Sequence, residues 1–262
     1  MRASFLSILG SLLISANAFT ACKKPDGGTG NLKITIKGMY DTETLILYQQ
    51  NYTHPENDDE LTVQVLNFFM SNVKIVAGDT GEIVLRDVEY INLENNHTEV
   101  GTANQGESFT IKNICVGEYT GIIFGVGLDS ATNSTTPSDY KSSSPLANNG
   151  NYWTAWDSYI FSRLEGKYKA SNHSTTIPFL YHTGVGDAYQ QRRLSKRFSI
   201  EKNTETELVL ILDMKKVFYP DNTDNQIDIS RNNVSHSGRV GTVEYEVALK
   251  SIRNIANALS IQ

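Results

Sequence analysis

The chain has 262 residues, 23 Lys+Arg against 29 Asp+Glu, and a formal net charge of −6. That balance excludes the dense basic surface that nucleic-acid binding needs, so no nucleic-acid partner is expected. Two cysteines are too few for a disulfide-built scaffold, and the length suffices for one large β domain or two small ones.

The N-terminus reads as a lipoprotein signal peptide over residues 1–21. Arg2 supplies a short positive region, Phe5 to Ile14 is apolar, and Ala18-Phe-Thr-Ala21 leads into Cys22. An apolar run that short does not span a bilayer as a mature helix. Small residues before a cysteine predict cleavage there, with Cys22 lipidated; Phe19 stands where leucine is usual. A soluble periplasmic product is the alternative. Acyl chains, at about 0.8 kcal/mol per buried CH₂, would anchor the protein to a membrane of the cell envelope, the outer membrane by preference, facing the periplasm or the cell surface. Cys115 is then left without a partner. No internal disulfide is expected, and its neighbours Ile114 and Val116 predict a buried, inert thiol.

Residues 22–30 form a Gly-rich tether, and a single domain is expected over 31–262. Leu32 to Lys37 alternates and predicts a half-buried strand, with a short second strand at Leu45 to Gln49. Asn51 to Glu60 is a polar loop, and Asp58-Asp-Glu60 is expected in solvent. Leu61 to Ala77 is apolar on both sides, as a central strand is, and pairs as a hairpin with Glu82 to Leu93. Ser108 to Ile111 and Tyr119 to Val126 are further strands. Gly121, Gly125 and Gly127 thin the second, for a bulge or a close backbone approach.

Thr132 to Gly150 is a polar loop. Next comes the segment with both tryptophans, Trp153 and Trp156, read as strand over Tyr159 to Leu164 with an exit turn at Glu165-Gly166. Strands are expected at Phe179 to Thr183, Arg197 to Ile200 and Glu207 to Asp213, with short ones at Val217 to Tyr219 and Ile227 to Ile229. Arg192, Arg193, Lys196 and Arg197 read as a charged strand edge. Val243, Val247, Ile252, Ile255 and Leu259 recur at near-helical spacing and predict a C-terminal helix of about four turns. The sum is an all-β, antiparallel β-sandwich of immunoglobulin or jelly-roll type with that helix appended.

Several motifs occur in a fixed order: Phe68-Phe-Met-Ser-Asn-Val-Lys-Ile75, Gly117-Glu-Tyr-Thr-Gly-Ile-Ile-Phe-Gly-Val-Gly-Leu-Asp129, Trp153 with Tyr159-Ile-Phe-Ser-Arg-Leu-Glu-Gly166, Phe179-Leu-Tyr-His-Thr-Gly184, and His236-Ser237. The ordered set resembles the methanobactin-associated periplasmic protein (MbnP-like) family, over about Leu32 to Leu259. The resemblance implies a β-sandwich and, in some members, copper(I) held by histidines and an oxidised tryptophan (kynurenine). It also implies a di-haem peroxidase-like or other copper-handling partner. This chain departs from the family pattern at the tryptophans. Trp153 keeps its place, but Ala155 stands at the second position, Trp156 is displaced by one, and Ser158 replaces a glycine. That departure argues against a tryptophan-derived ligand, while the resemblance makes Trp153 and Trp156 the metal-adjacent or oxidisable candidates.

Copper(I) is soft and accepts imidazole at low coordination number. His182 and His236 are the candidate ligands, each followed by a small polar residue and a glycine (Thr183-Gly184, Ser237-Gly238), and only the fold can bring them together. His54, His97 and His173 sit in polar loops and are expected in solvent. Met39, Met70 and Met214 are expected in the core. Asp221, Asp224 and Asp228 offer oxygen ligands, but Asp and Asn at that spacing are turn formers first. The tryptophans have other readings: plugs between the sheets, a cap on one end, or, with Tyr152, Tyr159, Asn148, Asn149 and Asn151, a platform for a glycan or protein partner. No Gly-x-Ser-x-Gly elbow or paired-carboxylate pattern is present, so the chain is not expected to be an enzyme.

Overall fold

The computed structural model describes residues 27–54, 58–78, 81–184, 186–236 and 239–262. The signal peptide, Cys22, most of the tether and Ser237-Gly238 lie outside the described residues.

In chain order the elements are β1 (Thr29–Tyr40), β2 (Glu43–Thr44), β3 (Tyr52–Thr53), β4 (Glu60–Ala77), β5 (Gly81–Asn92), α1 (Val100–Ala103), β6 (Glu107–Cys115) and β7 (Gly117–Val126). There follow α2 (Ser130–Asn133), β8 (Tyr152–Trp153), β9 (Ser158–Lys169), β10 (Ile177–Gly184), β11 (Gln190–Ile200), β12 (Glu205–Asp213), α3 (Met214–Phe218), β13 (Val234–Ser235), α4 (Val243–Ala258) and β14 (Leu259–Ile261).

Two sheets share one buried apolar cluster. In the smaller sheet, β1 alternates as its sequence dictates, with Leu32, Ile34 and Ile36 all buried. β12 lies along one edge of β1; β6 and then β2 lie along the other. The larger sheet is built on β4. Residues 60–68 of β4 pair with β9 and residues 70–76 with β7, while β5 runs along 67–77 of the opposite edge. That placement satisfies the two-sided apolarity of 61–77. Leu66, Phe68 and Met70 are buried on one face and Phe69 on the other.

α4 has the expected length and stripe. Thr242 caps it by accepting the Tyr245 N–H at 3.2 Å, and Ile252 and Ile255 are fully buried. Burying each is worth roughly 1.5–3 kcal/mol. Asn254 donates to Val217 O at 2.9 Å and Thr183 to Ala248 O at 3.1 Å, which ties α4 to α3 and β10.

The mostly antiparallel sandwich with its C-terminal helix is therefore present, and several local readings need correction. The β1–β12 and β10–β13 pairs are parallel. Val217 to Tyr219 is not a strand: Asp213 caps the N–H of Lys215 at 3.0 Å and starts the helix α3. Ile227 and Ile229 are buried but pair with no strand, and Leu47 to Gln49 forms a turn. Strand β14 was not expected, and β1 already begins at Thr29, inside the tether. Glu165 and Gly166 lie within β9, not in a turn. A Cβ on Gly166 would sit 2.6 Å from the Phe179 ring and 2.1 Å from Thr62 O, so glycine is needed for close strand packing.

Polar residues expected in solvent are also buried. Asp59 accepts from the Tyr168 hydroxyl at 2.5 Å and the Ser171 N–H at 2.9 Å. His54 packs edge-on against Tyr219, with ring centroids 3.7 Å apart. His97 is fully buried; its Nε2 accepts the Gly38 N–H at 2.9 Å, and its Nδ1 lies 2.5 Å from Asn96 Oδ1. His173 is exposed as expected; Met70 and Met214 are in the core, and Met39 is half-buried.

Cys115 is disulfide-bonded, which overturns the expectation of an unpartnered thiol. The chain's other cysteine is Cys22. Thr29, at the start of β1, pairs opposite Cys115, so the chain enters the domain beside this residue.

Candidate metal centre

The site grows from the register of three strands. β9 and β10 pair antiparallel, with His182 opposite Arg163 and Leu180 opposite Glu165. Side chains alternate along a strand, so His182, Arg163 and Glu165 share one face. Phe179, Tyr181 and Thr183 take the other face and are buried there.

β13 lies on the other edge of β10. It runs parallel, with Leu180 beside Val234 and Tyr181 beside Ser235. One residue further along, that register sets His236 beside His182. Parallel neighbours stand about 4.8 Å apart, and the two imidazoles stack accordingly, 4.5 Å between centroids and 5° between planes. Three bonds hold this segment down: Leu180 N–H to Asn233 O at 2.8 Å, Asn233 Nδ2 to Pro178 O at 2.9 Å, and the Tyr181 hydroxyl to Asn232 O at 2.7 Å. Ser235 is buried and donates to Glu244 O at the start of α4.

A tight hairpin supplies the wall. β8 pairs with the start of β9, Trp153 opposite Ser158. The turn over 154–157 closes through the Trp156 N–H to Trp153 O at 2.9 Å, with Asp157 at φ 52°. The Tyr152 hydroxyl donates to Asp157 Oδ1 at 2.6 Å across it. This geometry stacks Trp153 on Trp156, 4.5 Å apart at 23°. Trp153 also meets both histidines edge-on, His236 at 5.4 Å and His182 at 6.2 Å. Trp156 lies against Gly184, where a Cβ would sit 3.0 Å from the indole ring. Both tryptophans are half-buried, so neither plugs the space between the sheets.

The electrostatics are lopsided. His182 Nε2 lies 2.7 Å from Glu165 Oε1. Burial pushes the His182 pKa down; the Glu165 hydrogen bond opposes that shift, and His236 adds to it. His182 Nδ1 and His236 Nε2 are both buried with no hydrogen-bond partner. Leaving such a group unsatisfied costs about 1–3 kcal/mol, and two of them sit in one stacked pair. Among the described residues, no group of three or more His, Cys, Asp or Glu side chains is placed to hold a metal ion. The donor set at this site is thus two imidazole nitrogens beside an indole, which suits a soft, low-coordinate ion such as copper(I).

The sequence singled out His182, His236, Trp153 and Trp156, and the fold brings all four together. Glu165 was missed as a site residue, having been read as part of an exit turn. The acidic segment is structural: Asp228 accepts from Ser230 at 2.5 Å and from the Arg231 N–H at 3.3 Å, and Asn222 caps the turn at Thr223–Asn225.

Sandwich and site together define a β-sandwich protein carrying two stacked histidines beside a tryptophan hairpin on its larger sheet. The MbnP family model matches residues 29–238, and the chain belongs to the MbnP family. Among solved structures, MbnP from Methylosinus trichosporium is similar, with a TM-score of 0.50 and 13% identity over 89% of this chain and 98% of that one. At that identity the likeness is one of fold. No curated protein matches the sequence.

Proposed function

We propose that this chain is a non-enzymatic, lipid-anchored protein of the cell envelope that binds copper through His182 and His236 beside Trp153. The observation that carries the reading is the pair of buried, unpartnered imidazole nitrogens on stacked rings. Imidazole is a fitting donor for copper(I), which needs few ligands, whereas zinc favours a closed set of four in structural sites. Family membership supports the reading, as does the indole placed against both ligands. Trp153 is the candidate for oxidation, and a di-haem peroxidase-like or other copper-handling protein is the proposed partner. Trp156 backs Trp153.

Anchoring uses the sulfur of Cys22 in a thioether. A lipidated Cys22 is therefore not the partner of the Cys115 disulfide.

Elemental analysis after copper(I) loading and desalting tests the metal reading. The wild type should retain about one equivalent, and the His182→Ala/His236→Ala double variant none. Equal copper in both proteins would sink it.

A further inference from the structure

A neutral imidazole carries one proton shared between two nitrogens, and the surroundings decide which nitrogen holds it. The nitrogens of His182 meet unlike surroundings. Nε2 lies 2.7 Å from a Glu165 carboxylate oxygen, and Nδ1 is buried without a partner. An ionised carboxylate only accepts, so the proton belongs on Nε2 and the lone pair on Nδ1.

The fold makes Glu165 the partner. It sits opposite Leu180, two residues along β9 from the residue opposite His182, on the same face of the sheet. Cross-strand diagonals of this kind are within reach of long side chains. Arg163, directly opposite His182, is diverted: its guanidinium donates to Gly150 O in the segment leading into β8. That leaves the ring to Glu165, whose side chain is 26% exposed while that of His182 is 14% exposed.

We propose that Glu165 is the positioning residue of the metal centre: it fixes His182 as the Nε2–H tautomer and so makes Nδ1 the coordinating atom. The coordinating role rests on the copper reading; the tautomer does not. The arrangement is that of a carboxylate orienting a ligand histidine from behind, where loss of the carboxylate typically weakens metal binding about 10–100-fold.

Two measurements separate the claims. Long-range ¹H–¹⁵N correlation spectra of the metal-free protein at neutral pH should show His182 as the Nε2–H tautomer. Glu165→Ala should remove that preference. Competition with a chromophoric copper(I) chelator should then show Glu165→Ala binding about 10–100-fold more weakly than wild type. Glu165→Gln keeps an accepting oxygen and should stay within a few-fold of wild type. An Nδ1–H tautomer in the wild type overturns the proposal. So does unchanged affinity in Glu165→Ala, or a Glu165→Gln as weak as Glu165→Ala, which would make the charge and not the orientation responsible. A wild type with the Nε2–H tautomer but no copper(I) affinity overturns the copper reading and the coordinating role, and leaves the tautomer assignment standing.

Discussion

Protonating His97 should cost the folded protein several kcal/mol. The ring is fully buried, and its Nε2 lone pair already accepts the Gly38 N–H. A proton placed there would meet an N–H donor at 2.9 Å in a fully buried position. Burial holds the pKa down at about 4, from an ordinary 6.5. The unfolded chain therefore binds more protons than the native state between those values, and stability falls as the pH drops from 6.5 toward 4. The full difference is about 3.5 kcal/mol at about 1.4 kcal/mol per pKa unit. Roughly 2.5 kcal/mol of it is lost between pH 7.5 and 4.5. Urea unfolding of wild type and His97→Gln at both pH values isolates the effect, since the carboxylates titrate in both proteins. The stability gap between them should shift by that amount in favour of the variant at pH 4.5. A gap that does not change with pH would refute the buried, neutral assignment.

Gly184→Ala puts a methyl group 3.0 Å from the Trp156 ring and 2.6 Å from Tyr159 O. It should cost about 1–3 kcal/mol and weaken the exciton couplet of the stacked indoles in circular dichroism; an undisturbed couplet would contradict the packing. The N-terminal peptide of the protein isolated from its own cells should carry a lipid-modified Cys22. A reducible cross-link joining the two cysteines would remove the anchor from the account.

Much of the fold was legible because it rests on long, regular patterns. The double-sided apolarity of 61–77 requires a strand with neighbours on both edges and material on both faces, and β4 has them. The spacing from Val243 onward is long enough to read as a helix. Short pieces were not legible. Val217-Phe-Tyr219 is too brief to show a period, and the Asp213 cap that makes it helical acts from outside it. His97 sits among Asn95, Asn96 and Thr98, which locally signal solvent, yet its partner is the backbone of Gly38 in β1.

The site divides the same way. Trp153 and His182 stand in recognisable motifs. His236 joins them through a two-residue parallel strand, and pairing that short leaves no trace in composition. Glu165 was hidden by its neighbour: a glycine after a charged residue reads as a turn, while Gly166 is there for the Phe179 ring. Reading 158–169 and 177–184 as one antiparallel pair would have placed Glu165 diagonal to His182.

The central claim is the donor set, and X-ray absorption spectroscopy of the copper(I)-loaded protein reports it directly. The account predicts low-coordinate copper bound by imidazole nitrogen, with the imidazole scattering lost in the His182→Ala/His236→Ala protein. Copper bound through sulfur, or unchanged imidazole scattering in the double variant, would contradict it.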